Sequence, residues 1–150
     1  MAIRLTSAAF SPGSAIPKKH TGEGADTSPP LAWSDLPAGT MELALVCDDP
    51  DAPTPKPWVH WVLYGLSASL AGLKEGDSGG GLSGPTDFGR PGYGGPMPPK
   101  GHGVHRYFFR LYALDAPLGA KPGLTKEKLL AAMKGHILGE GELIGTYERK

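Results

Sequence analysis

Three sets of polar residues stand where strand-like, apolar runs begin, end or pass through. Asp49 and Asp51 follow MELALVC, His60 lies inside WVHWVLYGL, and His105 and Tyr107 open HRYFFRLYALD. An imidazole inside a Trp-rich strand needs a partner if it is buried, because an unsatisfied polar group costs about 1–3 kcal/mol. Asp49, at the exit of the preceding strand, is the carboxylate in position to supply it. Residues two apart on a strand emerge on one face, so His105 and Tyr107 point the same way, and so do Trp58, His60 and Val62. Protonated imidazole and phenol both donate hydrogen bonds, and a loop of free N–H groups can form an anion nest. The carboxylate then holds a histidine in its protonated form or its correct tautomer. Phosphate or a phosphate monoester is the natural guest of such a set.

Each residue also has a plainer role. Asp49-Pro50-Asp51 suits a turn with its own Asx hydrogen bonds, His60 suits a satisfied core histidine, and Tyr107 suits a core ring with its hydroxyl at the rim. A hydrolase or other general acid/base enzyme using Asp49 and His60 is the competing functional reading. The sequence contains no GxSxG elbow for a serine hydrolase. It has no CxxC, HxH or HExxH spacing for zinc either. No metal and no cofactor is implied.

The loop that must shape such a pocket is Gly95 to Tyr107, GPMPPKGHGVHRY. Proline fixes φ and glycine reaches angles other residues avoid, so this is a shaped segment, and Pro98 and Pro99 are candidates for the pocket wall. Upstream, Ser67 to Tyr93 is long and Gly-rich with few core formers; a stretch of that length is expected to be functional or mobile. Strands are expected over Ile3–Phe10, Ala15–His20, Leu31–Ser34, Met41–Cys47, Trp58–Leu66, Arg106–Leu114 and Ile137–Tyr147, from β-branched and aromatic content and short apolar runs. One helix is expected over Thr125–Lys134, capped by Thr125 and stopped by Gly135. The chain has 150 residues, with 23 glycines and 16 prolines, and 39% of it is hydrophobic. That combination fits one all-β domain over 1–150: a two-sheet antiparallel β-sandwich with one short C-terminal helix and long Pro/Gly loops. Lys+Arg and Asp+Glu both number 15, which leaves no basic footprint for nucleic acid. The single cysteine, Cys47, excludes an intrachain disulfide and reads as a buried small hydrophobe. With no signal-peptide core and no membrane-length apolar run, the expected compartment is the cytoplasm.

Taken together, DPDAP at Asp49–Pro53, WVHW at Trp58–Trp61, GPMPPKGHGVHRYFFRLYALD at Gly95–Asp115 and SPPLAWSDLPAGT at Ser28–Thr40 resemble the phosphatidylethanolamine-binding protein family, and within it the prokaryotic Raf-kinase-inhibitor-like branch. The resemblance runs from about Phe10 to the C-terminus. It implies a β-sandwich with an anion pocket at one end. Position by position, the family's pocket carboxylate falls on Asp49, its histidines on His60 and His105, its phenol on Tyr107 and its loop prolines on Pro98 and Pro99, with Asp51 and Pro53 in the same loop. It also implies a non-enzymatic binding protein for phosphate, a phosphorylated small molecule or a phospholipid head group, with a kinase or protease as partner. Two departures stand out. Met97 occupies the position of a glycine in animal members, and Ile137–Tyr147 reads as a strand where those members carry an extra gating helix. The first suggests a pocket loop of different geometry, and the second a more open pocket, or one closed by a second subunit in a homodimer.

Overall fold

The computed structural model describes residues 2–150. Eight strands form two antiparallel sheets. The small sheet is built from β1 (Arg4–Thr6), β2 (Leu31–Ser34) and β5 (Gly72–Leu73), in the order β1-β2-β5. The large one contains β3 (Glu42–Asp49), β4 (Trp58–Ser67), β6 (Leu82–Ser83), β7 (His105–Leu114) and β8 (Ile137–Tyr147), in the order β6-β4-β3-β7-β8. A single α-helix, α1 (Lys126–Met133), lies between β7 and β8 in sequence. No helix among the described residues is long and apolar enough to cross a membrane.

The large sheet is covered on both faces, which explains why its middle strands are continuous apolar runs rather than alternating ones. Between the sheets, Leu5 and Trp33 of the small sheet meet Leu43, Leu45, Leu63, Phe109 and Leu111 of the large one. On the outer face, Ala44, Val46, Val62, Tyr64 and Leu114 pack under Leu129 and Met133 of α1. Alternation along β7 assigns Tyr107, Phe109, Leu111 and Ala113 to the first layer and Tyr112 and Leu114 to the second. Thr125 caps α1 as its sequence suggests, its side chain accepting from the Lys128 N–H at 3.2 Å. Lys126, in the first turn, reaches the buried Asp48 at 2.6 Å, and Arg110 approaches the same carboxylate at 3.4 Å. The Lys126 contact pins the helix to the sheet.

Three expectations change. β1 is only three residues long. Ala15–His20 is not a strand: Lys18–His20 is a 3₁₀ turn, and Ala15 makes only an isolated bridge to Thr146. The glycines of β8 have a local reason, because the N-terminal segment runs along this edge. A Cβ on Gly141 would sit 2.7 Å from the Ile3 carbonyl oxygen, and one on Gly145 would sit 2.6 Å from the Ile16 side chain. Most important for the site, β4 is bulged. Cys47 pairs with Trp61 but Asp48 pairs with Val59, leaving His60 unmatched. The extra residue reverses the alternation. Trp61 therefore joins the inter-sheet core and Val62 the outer layer, while Trp58 and His60 line a cavity together. Val62 does not share their face.

The Gly-rich stretch before the pocket loop is tied to the bulged strand through its backbone. Asp87 accepts from the Val59 N–H at 2.7 Å through its side chain and returns its own N–H to the Val59 carbonyl at 3.0 Å. The Gly94 N–H donates to the His60 carbonyl at 2.9 Å, and the Gly84 N–H to the Val62 carbonyl at 3.0 Å. A bulge leaves ladder groups unpaired, and buried ones must be satisfied elsewhere; here that segment satisfies them.

Candidate functional site

At one end of the large sheet, where β3 exits and β4 and β7 enter, lies a cavity of about 240 Å³. The strands contribute Asp49, Trp58, His60, His105 and Tyr107. The loop after β3 contributes Ala52, Pro53 and Thr54, and the loop before β7 contributes Met97, Pro98 and Pro99, with Phe88 closing one side. The loop before β7 is held from outside the cavity. Gly95 donates to Asp26 at 2.7 Å, and Gly22 donates to the Pro96 carbonyl at 2.9 Å. Gly95 is required there, because a Cβ would lie 2.3 Å from the His20 carbonyl oxygen.

Six of the seven residues singled out from the sequence line this cavity: Asp49, His60, Pro98, Pro99, His105 and Tyr107. Asp51 does not. Its carboxylate grips Arg106, accepting from Nε, from Nη2 and from the backbone N–H, each at 2.9 Å. The Arg106 guanidinium holds the Asp51 carboxyl below its ordinary pKa. Asp51 thus staples the loop after β3 to the head of β7, and its own N–H donates to Asp49 Oδ1 at 2.8 Å.

The pairing within the set also differs from expectation. Asp49 does not hold His60. Its Oδ2 lies 2.6 Å from His105 Nδ1, because β3 is flanked by β7 as well as by β4. His60 Nδ1 instead lies 2.6 Å from the Gly94 carbonyl oxygen. A carbonyl can only accept, so Nδ1 carries the proton. Burial pushes the His60 pKa below its ordinary value, against the pull of the Gly94 bond and the charges of Asp49, Asp48 and Asp26. The ring is therefore neutral, and Nε2 is a lone pair with no protein partner among the described residues. Phe88 and Tyr107 hold the ring edge-on, at centroid distances of 5.3 and 5.1 Å.

The second imidazole is committed as well. His105 Nε2 lies 2.6 Å from Nδ1 of His102, so both of its nitrogens are engaged. His102 escaped the sequence reading. Its signal was a second histidine three positions before the first, in GHGVH, at a place where no strand fixes which way it points. Phe88 and Trp58 were also missed as wall residues. Phe88 sits alone among turn formers in TDFGRPG, where only tertiary placement shows what it covers.

Tyr107 is the odd member. It is 1% exposed, yet its hydroxyl has no hydrogen-bond partner among the described residues. Burial pushes its phenol pKa up, with the Asp49 charge adding to the effect, so it is a neutral O–H donor. The cavity thus offers one phenolic donor, one imidazole lone pair and a carboxylate already engaged by His105 and the Asp51 N–H, all against apolar walls.

The family model for phosphatidylethanolamine-binding protein matches residues 6–148. A UPF0098 protein of Methanothermobacter thermautotrophicus is 48% identical, with the alignment covering 98% of this chain and 99% of that one. The crystal structure of a putative phosphatidylethanolamine-binding protein homolog from Chlamydia trachomatis superposes with a TM-score of 0.94 at 44% identity, covering 99% of both chains. Escherichia coli YbcL, described as a member of the mammalian family, superposes with a TM-score of 0.92 at 30% identity over 100% of both chains. The fold, the family model and these relatives agree along nearly the whole length: the chain belongs to the phosphatidylethanolamine-binding protein family.

Proposed function

We propose that this protein is a binding protein, not an enzyme, and that the cavity between β3, β4 and β7 receives a phosphoryl group from free phosphate, a phosphorylated side chain or a phospholipid head group. The observation that carries this reading is the Tyr107 hydroxyl, a buried donor without an acceptor on a residue of the cavity wall. A buried polar group left unpaired costs about 1–3 kcal/mol, and a ligand oxygen within reach would recover that cost. His105 keeps the Asp49 carboxylate engaged, so its charge does not face the guest unopposed. The competing hydrolase reading requires Asp49 to activate His60, and Asp49 is bonded to His105 instead.

The test is a titration of the ¹⁵N-labelled protein with inorganic phosphate at constant ionic strength, with chloride as control. Saturable shifts concentrated at Met97, His60, His105 and Tyr107 are expected. Shifts scattered over the surface lysines and arginines, or none at all, would remove the cavity from consideration as a phosphoryl site.

A further inference from the structure

We propose that His102 is a positioning residue of the phosphoryl site: it forms one proton-holding pair with His105, and the pair takes up a proton when an oxyanion enters the cavity. This rests on the phosphoryl-binding reading and names the source of the charge which that reading needs. The wall contains one carboxylate, Asp49, and among the described residues no lysine or arginine lines the cavity. Burial pushes the His60 pKa down and the Tyr107 phenol up, so both are neutral. His105 is the wall residue left that can become a cation.

Its contacts fix how. Asp49 Oδ2 lies 2.6 Å from His105 Nδ1, and a carboxylate only accepts, so Nδ1 carries a proton. His105 Nε2 lies 2.6 Å from His102 Nδ1. Two nitrogens this close share one proton, because two facing N–H groups repel and two facing lone pairs have no hydrogen between them. His102 Nε2 is then the nitrogen that decides the charge: bare, the pair is neutral; protonated, it is a monocation. His102 is exposed, whereas His105 is buried. A proton arriving from solvent at His102 Nε2 lets the shared proton pass from His102 Nδ1 to His105 Nε2. The positive charge then stands at the cavity wall, beside Asp49. The pocket loop keeps His102 in place: its N–H donates to the Pro99 carbonyl at 3.1 Å, and the Gly101 N–H to the Arg149 carbonyl at 2.9 Å.

The charged and titratable groups around the pair are Asp49 and Asp51 at the exit of β3, His60 on β4, Arg106 and Tyr107 on β7, Tyr147 on β8, Arg149 just beyond it, and Lys100 in the same loop. Arg106 and Asp51 are bonded to each other. An oxyanion adds negative charge on the cavity side and so favours the cationic pair. The linkage is reciprocal: the proton raises guest affinity by the factor by which the guest raises proton affinity.

Calorimetric titration with inorganic phosphate, run in two buffers of different ionisation enthalpy, counts the protons taken up. Phosphate's own titration cancels when the wild type is compared with His102→Phe, which keeps a ring over His105 but neither accepts nor passes a proton. Between pH 7 and pH 8 the wild type is expected to take up more protons than the variant, by up to about one, and its affinity relative to the variant to fall by up to about tenfold. Equal uptake with parallel pH profiles overturns the pair and leaves the phosphoryl cavity standing. No phosphate binding by the wild type overturns both. A second readout needs no variant: histidine ¹⁵N shifts of the wild type at pH 8 should show His102 Nε2 gaining a proton as phosphate saturates the cavity, and an Nε2 that phosphate leaves unchanged refutes the uptake.

Discussion

Replacing Tyr107 with phenylalanine removes one oxygen and should move stability and affinity in opposite directions. The ring is buried against the inter-sheet core and stays in place. Its hydroxyl has no partner among the described residues, so the substitution removes a desolvated donor and breaks no hydrogen bond. Leaving such a group unpaired costs about 1–3 kcal/mol. Taking the lower end of that range, the ligand-free variant should gain about 1 kcal/mol, read as about 2–4 °C in Tm for a chain of this size. The phosphoryl complex loses a hydrogen bond to a charged oxygen, worth about 1.5–3 kcal/mol. That is roughly a 10- to 150-fold rise in Kd. Urea denaturation without ligand and calorimetry with inorganic phosphate measure the two sides separately. A variant that is less stable by more than about 1 kcal/mol would mean that the hydroxyl has a structural partner. Unchanged phosphate affinity would mean that the donor does not face the guest. Either result breaks the argument from the orphaned oxygen.

Three other changes probe the frame around the cavity. Asp48→Asn should cost about 3 kcal/mol in urea denaturation, since it leaves the half-buried Lys126 ammonium and Arg110 facing a neutral amide. The cost should shrink when Lys126 is also changed to methionine, and an additive double mutant would refute the pairing. Gly141→Ala should lose about 1–3 kcal/mol, because the new methyl meets backbone at Ile3, which cannot rotate away; a neutral result would show that the N-terminal segment does not lie on β8. His60 has a lowered pKa in the folded state, so the unfolded chain binds its proton first. Its contribution is present above the unfolded value of about 6.5 and is lost as pH falls from there toward the folded value. Stability measured from pH 8 down to 5 should therefore drop more steeply in the wild type than in His60→Gln, and parallel profiles would show that the imidazole is not neutral in the fold.

How much of this was legible depended on whether a feature was local. The inner strands announced themselves because β3, β4 and β7 are covered on both faces and so read as unbroken apolar runs. Thr125 capping α1 and the shared face of His105 and Tyr107 are likewise consequences of period and cap chemistry. What sequence could not supply was the order of strands. Asp49 is adjacent in sequence to β4, so His60 looked like its partner. In space β3 lies between β4 and β7, and the carboxylate turned to His105. Asp51, only two residues on, faces Arg106 instead of the cavity because the loop turns between them. Phe88 and His102 sit among glycines, where neither period nor propensity fixes a direction.

The bulge in β4 connects core packing to the character of the cavity. With regular alternation, Trp61 opposite Cys47 would put His60 opposite Asp48, on the outer face beneath α1, among Val46, Val62 and Met133. A histidine there would stand beside the Asp48–Lys126 pair and have no access to the cavity. The extra residue turns His60 to the side of Trp58 and Tyr107 without moving Trp61 out of the inter-sheet core. It also frees the backbone at Val59 and His60 to bond Asp87 and Gly94. The Gly94 carbonyl then accepts the His60 Nδ1–H as well, which leaves the other ring nitrogen bare. The same irregularity therefore sets where the imidazole points and which of its nitrogens meets a guest. A deletion that restored regular pairing between β3 and β4 should abolish both the lone-pair acceptor and the anchoring of the Gly-rich segment, whatever it did to the fold's overall stability.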